Sequence, residues 1–306
     1  MISFLVRRTA WMVVTLWIVF TASFLLMRAV PGGPFSQERK VDRDVRRNLE
    51  KRYKLDQPLY RQYWTNLVDT VRYRDLGPSM KLKDYTVNEI IAQGFPVSAS
   101  LGILALSLAL AVGLTSGTVA ALRRQRLLDV TVMGIATVGI AVPNFWLAGV
   151  SIVLFVFVWP LLPAAGWGSP AQLVLPVVCL AAPYAAYIAR LTRTGMLDVL
   201  SQDYIRTAQA KGLAPHRIVI HHALRGAVLP VVSFLGPAVA AILTGSLVIE
   251  QIFFLPGLGR AFISAALQRD YPVAMGLVLI YTIILYVMNM VVDISYRVLD
   301  PRVKLS

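Results

Sequence analysis

Long uncharged stretches alternate with short basic ones along the whole chain. Residues 9–27 carry no charge, and neither do 90–122, 130–189, 226–249 or 271–292. A bilayer core of about 30 Å takes roughly 20 residues of helix to cross. Helix also satisfies every backbone polar group within lipid, so each stretch is predicted to be helical. Four of the stretches suit one crossing each. The 130–189 stretch is about three times too long for one helix. Pro160, Pro163, Gly166, Gly168 and Pro170 interrupt it, so it reads as two crossings joined by a turn. Six spans follow, at 9–30, 97–122, 130–158, 172–192, 227–250 and 272–296. The first is read as a retained anchor, because its apolar run exceeds a signal-peptide core and no small-x-small cleavage site follows it.

Two polar segments stand out between the spans. In 31–96, Asp56-Gln57-Pro58 is a plausible helix start, and Tyr60, Tyr63, Trp64, Leu67 and Val71 recur at helical spacing. That stripe fits either a small cap packed on the rim of a membrane domain or a docking surface for a partner. The second segment, 201–226, is basic and helix-compatible. Asp203 can cap a helix through its side-chain oxygen, Gly212 suits a helix C-terminus, and Pro215 can open the next helix. Ile205, Ala208, Ala210 and Leu213 are apolar or small, while Arg206 and Lys211 offer charge. Such a pair of short helices could sit in a groove on another protein, or be an ordinary loop.

Composition agrees with this pattern. The 306 residues are 57% hydrophobic and 15% charged, with mean hydropathy +0.64, against about 25% charge in soluble proteins. The net charge of +14 follows the topology. Arg7 and Arg8, Arg123 to Arg126, the 190–225 basic residues, and Arg297, Arg302 and Lys304 all fall on one side. The positive-inside rule then places both termini in the cytoplasm of a multi-pass plasma-membrane protein. Segment 31–96 has 13 basic and 9 acidic residues, but it exceeds the roughly 60 residues over which that rule counts. Nucleic-acid binding is therefore a poor reading of the charge, and membrane lipid is the expected surrounding. The domain division is an anchor helix at 1–30, an extracytoplasmic segment at 31–96, a core at 97–296 containing the 201–226 loop, and a cytoplasmic tail at 297–306.

The chemistry of a self-powered enzyme is missing from the sequence. It has no G-x-x-x-x-G-K-[ST] loop and no H-E-x-x-H. Cys179 is the only cysteine, which excludes an intrachain disulfide. His216, His221 and His222 are close in sequence, but adjacent histidines do not share a helix face, so no metal site is expected. Between Ile90 and Ile249 the only acids are Asp129, Asp198 and Asp203, which argues against proton coupling. Energy must come from a partner, or the chain is a passive channel. Pro143-Asn144 within the third span marks either a helix–helix hydrogen bond or a pathway lining. Gly134, Gly139, Ala141 and Ala148 permit close helix approach there. Asp293 is read as a helix-end partner of Arg297 at i+4 in preference to a proton relay.

Many short motifs then coincide in order: LVRR (5–8), AVPGGPF (29–35), DLGPS (75–79), FPVSASLG (95–102) and PNFW (143–146), followed by ARLTRTGMLDVL (189–200), DYIRTAQAKG (203–212), HALRGAVLPV (222–231), VIEQIFFLPGLGR (248–260), RDYPV (269–273) and LDPR (299–302). Together they resemble the permease subunits of bacterial peptide ABC importers over nearly the whole chain. PGGPFSQER and DLGPSMKLKDYTVNEI look most like the B-type oligopeptide branch. The resemblance implies an all-α, six-span permease of the type I importer fold, with no catalytic residue and no cofactor of its own. ATP and Mg would be bound by two partner ATPase subunits. A second homologous permease would complete the pore, and an extracytoplasmic binding protein would deliver peptide.

The resemblance also assigns ATPase coupling to Asp203, Tyr204, Arg206, Thr207, Ala208, Ala210, Lys211 and Gly212. One departure concerns the general importer pattern, an acid followed by two alanines; here those positions are Arg206, Thr207 and Ala208, so no Glu there can pair with the ATPase. The outer signature carries over to Glu250, Pro256, Gly257 and Gly259, either as part of a gate or as a structural re-entrant turn. The alternatives are another substrate for the same family (dipeptide, nickel or a peptide-like antibiotic), an ion-coupled secondary transporter, or a receptor using segment 31–96.

Overall fold

The computed structural model describes residues 2–29, 47, 51 and 53–299. The PGGPFSQER motif, the Asp300-Pro301-Arg302 turn and the side chain of Arg297 lie outside the described residues. In chain order the helices are α1 (Ile2–Ala29), α2 (Leu59–Val68), α3 (Val87–Leu122), α4 (Leu127–Ala141), α5 (Asn144–Ile152), α6 (Pro170–Leu200), α7 (Asp203–Ala210), α8 (Pro215–Arg217), α9 (Leu224–Ala227), α10 (Leu229–Ile252), α11 (Leu258–Gln268) and α12 (Tyr271–Leu299). Among the described residues β structure is limited to one isolated bridge, Pro78 to Thr86.

Four helices, α1, α3, α6 and α12, are long and apolar enough to cross a membrane, and two bent pairs raise the number to as many as six. The expected third span is not straight. Leu127–Ala141 and Asn144–Val158 meet at 105°. Pro143 has no N–H to give and pushes Val142 out of the helical region, to φ −84 and ψ 124. The second span starts at Val87, ten residues before the expected 97. A capping box explains this. The Thr86 N–H donates to Glu89 Oε2 at 2.8 Å, and the Glu89 N–H donates to Thr86 Oγ1 at 3.2 Å. The fourth span continues past 192 to Leu200, because its basic residues stay helical and one of them is neutralised, as described below.

The chain forms two compact units, 1–98 with 256–286, and 99–255 with 287–306. In the first, Phe20 and Phe24 of α1 pack with Met275 and Leu279 of α12. Tyr63 and Leu67 join that cluster, with the Tyr63 ring edge-on to both phenylalanines. The predicted stripe is therefore split. Tyr60, Trp64 and Val71 remain exposed; of these only Val71 lies in the π-helical turn at Asp69–Tyr73 that follows α2. Gln62 is buried in their place. It accepts hydrogen bonds from the Arg28 guanidinium and donates to the carbonyls of Leu55 and Gln57. A second cluster joins Val87 of α3 to Leu258 and Ala265 of α11 and Leu277 of α12.

In the second unit α3 and α6 touch backbone to backbone. A Cβ on Gly117 would lie 2.4 Å from the Ala189 carbonyl oxygen, and one on Gly113 would lie 2.6 Å from the Ile188 side chain. Helices meet this closely only through glycine. Gly139 approaches Ala186 and Ala148 is buried, as expected, whereas Gly134 faces open space.

Candidate functional site

The 201–226 segment folds as the sequence suggests, with one correction. Gln202 is the N-cap of α7, and Asp203 is its first helical residue, with no side-chain cap. Its carboxylate sits instead 3.7 Å from Arg206 Nη1, with both side chains mostly in solvent. An exposed pair of this kind is weak, so both charges stay presentable to a partner. The spacing of Ile205 and Ala208 puts them on one face of α7. Both are buried, in a cluster with Ala121, Met196, Ile218, Ala223 and Ala227. Ala208, expected among the coupling contacts, therefore seats the helix. Asp203, Tyr204, Arg206, Thr207 and Ala210 form the outward face, continued by exposed Lys211 and Gly212. The Thr207 hydroxyl donates to the Asp203 carbonyl.

The C-terminus of α7 closes through glycine. The Gly212 N–H donates to the Gln209 carbonyl at 2.9 Å and the Leu213 N–H to the Ala208 carbonyl at 3.3 Å. Gly212 has φ +74, a conformation that only glycine adopts without strain. Pro215 then opens α8, and a π-helical turn at Ile218–Ala223 buries Ile218 and Ala223.

One support of this loop and one clamp on the adjoining α6 were not read from the sequence. At Gly195 of α6, a Cβ would lie 2.6 Å from the Ala227 carbonyl oxygen, so the chain bearing the loop rests directly on α6. The second is Asp129 of α4, buried, which takes both Nε and Nη2 of Arg193, at 2.5 and 2.7 Å. Its Oδ2 also accepts the Gln125 N–H at 2.9 Å. This bidentate clamp pins the 123–126 turn to α6. Asp129 is the only acid within a long apolar and basic stretch, which was a usable signal, but its partner lies 64 residues away, beyond any periodicity.

The outer-signature residues fall on both units. Glu250 is buried in α10 of the second, and its carbonyl accepts the Leu255 N–H at 2.9 Å. Pro256, Gly257 and Gly259 belong to the first, where Gly257 is the extended N-cap of α11 and Gly259 is buried. Pro143 is exposed and Asn144 half-buried at the α4–α5 break. An apolar cavity of about 690 Å³ in the second unit is lined by Leu108, Ile135, Gly139, Val178 and Ala182, and by Leu147, one turn beyond Asn144. Among the described residues no group of three or more His, Cys, Asp or Glu could hold a metal. Cys179 is a buried free thiol.

Residues 113–305 match the family described as "Binding-protein-dependent transport system inner membrane component", and residues 1–102 match its N-terminal counterpart. The chain is 47% identical over 305 residues to the dipeptide transport system permease protein DppB of Bacillus subtilis, covering 100% of this chain and 99% of that one. It is 42% identical over 306 residues to the oligopeptide transport system permease protein OppB of Escherichia coli K12, covering 99% and 100%. The DppB protein of Lactococcus lactis is 36% identical over 305 residues, with full coverage of both chains.

Proposed function

We infer the function from one premise: the chain belongs to the family of inner membrane components of binding-protein-dependent transport systems. The family is the non-catalytic permease part of ABC transporters, and the chain is a multi-pass membrane protein. The proposal is that it forms half of a peptide-import pore, with a second homologous permease as the other half. Two ATPase subunits bind ATP and Mg beneath it, and an extracytoplasmic binding protein loads peptide from outside. Both termini face the cytoplasm. Oligopeptides are the proposed cargo, on the PGGPFSQER and DLGPSMKLKDYTVNEI stretches; the relatives' names are divided between dipeptide and oligopeptide.

The observation that carries this reading is the two-faced α7. Ile205 and Ala208 fix it to the protein's own core while Tyr204, Arg206 and Lys211 face outward. A helix held on one side and bare on the other can pass a push from a partner into the membrane helices. In the proposed cycle, ATP binding closes the ATPase pair, and the displacement enters through α7. The membrane helices rock from inward-open to outward-open, and peptide passes through. Glu250 and the Pro256–Gly259 turn are proposed for the outer gate, and the Pro143–Asn144 break for the pathway wall.

The test is a mild-detergent pull-down of the tagged chain from its native membranes, with ATP hydrolysis measured on the recovered complex. Recovery of a second permease and ATPase subunits, with hydrolysis raised by peptide-loaded binding protein, is expected. Recovery of the chain alone under crosslinking would refute the reading. Uptake of dipeptides against longer peptides by the same complex decides the cargo.

A bulky residue at position 212 is expected to lower peptide uptake at unchanged membrane level. Nothing lies within 4 Å of a Cβ there, so the effect comes from backbone strain alone, about 1–2 kcal/mol. That strain re-aims α7 without disturbing the core. Uptake per inserted molecule is the readout, and an unchanged value counts against the joint.

A further inference from the structure

The first unit contains a large groove. Its volume is about 1070 Å³, and Val13 and Trp17 of α1, Val71 of the π-helical turn, and Leu279 and Ile283 of α12 contribute apolar walls. Val13, Trp17 and Val71 are each more than half exposed. The polar lining is confined to Thr70, Arg72, Arg74 and Asn88. The Asn88 amide fixes the backbone on which Arg74 stands, donating to the Arg74 carbonyl at 2.7 Å while its oxygen accepts the Leu76 N–H at 3.2 Å. Arg74 is held in a left-handed conformation, φ 54, which is strained for a residue with a side chain. The Arg72 guanidinium lies 5.8 Å from the Tyr73 ring centre. Among the described residues neither arginine forms an ion pair. Two acids are near in sequence: Asp75 caps its own turn by accepting the Gly77 N–H, and neither it nor Asp69 lines the groove.

We propose that this groove binds an anionic phospholipid, its acyl chains along α1 and α12 and its phosphate between Arg72 and Arg74. An apolar trough lined by two arginines that form no ion pair among the described residues matches that shape of molecule: arginine forks suit phosphate oxygens, and the walls need a hydrocarbon occupant in a chain that spans membranes. A zwitterionic lipid fills the trough equally well but gains less at the arginines. The site is independent of the transport assignment and would persist in any membrane protein with this fold.

The experiment places the chain, purified with its natural partners, in nanodiscs of equal parts phosphatidylglycerol and phosphatidylcholine. It is then released gently and the retained lipid is counted by native mass spectrometry. Phosphatidylglycerol is expected to be retained over phosphatidylcholine, and Arg72→Gln with Arg74→Gln to remove that preference, roughly 30-fold for two surface charges. Val71→Trp, which fills the groove and leaves both arginines, is expected to reduce retention of either lipid. Equal retention of the two lipids, unchanged in the double variant, overturns the proposal. So does a thiol crosslink from Val71→Cys to another protein of the complex, since a protein would then cover the groove. All variants alter exposed side chains, and complex recovery at the wild-type level confirms that they fold.

Discussion

Alanine at position 195 is expected to uncouple the transporter almost completely. The added Cβ would sit 2.6 Å from the Ala227 carbonyl oxygen and 3.1 Å from the Ala227 Cα. Both atoms are backbone, so no side chain can swing aside. Either α9 lifts away from α6 or α6 deforms, at about 1–3 kcal/mol for an overpacked contact. Ala227 belongs to the same buried cluster as Ile205 and Ala208, so that displacement travels into the seat of α7. Two other glycines calibrate the effect. At Gly226 the Cβ meets Val199 Cγ2 at 3.0 Å, a side-chain end that can give, and at Gly134 it meets nothing within 4 Å. ATP hydrolysis stimulated by peptide-loaded binding protein, measured on purified complexes, should fall steeply for Gly195→Ala, modestly for Gly226→Ala and not at all for Gly134→Ala. Equal activities would show that the α6–α9 contact plays no part in coupling.

The second large effect is expected at the Asp129–Arg193 clamp. Asp129→Asn removes the charge that both Arg193 nitrogens and the Gln125 N–H meet. A hydrogen bond to a charged group contributes about 1.5–3 kcal/mol, and the remaining guanidinium is left in a site built for a carboxylate. The thermal midpoint of the complex and its coupled hydrolysis should both drop. Arg193→Lys should not restore them, because an ammonium cannot reproduce the two-pronged contact. Asp129→Asn combined with Arg193→Gln should be little worse than either alone, since both delete one shared interaction. Additive losses would mean that the two residues act separately.

Four spans were legible as single helices because lipid leaves the backbone no option but helix; the count rises to as many as six only where each bent pair is one crossing. The ends were less so. Val87 begins α3 through a Thr86–Glu89 capping box that a count of apolar residues does not see, and α6 continues through charged residues to Leu200. The outline of the 201–226 loop followed from Gly212 and Pro215, whose backbone preferences are local. Which face of α7 would be inward did not follow. That depends on Met196, Ala223 and Ala227 arriving from elsewhere in the chain. The stripe from Tyr60 to Val71 divided for a similar reason: Tyr63 and Leu67 meet side chains of α1 and α12 that its spacing does not name, while Tyr60, Trp64 and Val71 stay exposed. Gly195 and Asp129 escaped because close approach and ion pairing are properties of two segments, and a single sequence displays one segment at a time.

The most direct test of the central claim, that the outward face of α7 grips an ATPase subunit, is thiol crosslinking from single cysteines. Cysteine would be placed in turn at Tyr204, Arg206 and Lys211, all exposed, and at Ile205, which is buried; the native Cys179 is buried and serves as the silent background. In the assembled complex, adducts to the ATPase subunit are predicted from positions 204, 206 and 211, altered in yield by ATP, with none from 205. Absence of adducts from all three exposed positions, in a complex that still hydrolyses ATP in response to peptide, would contradict the account.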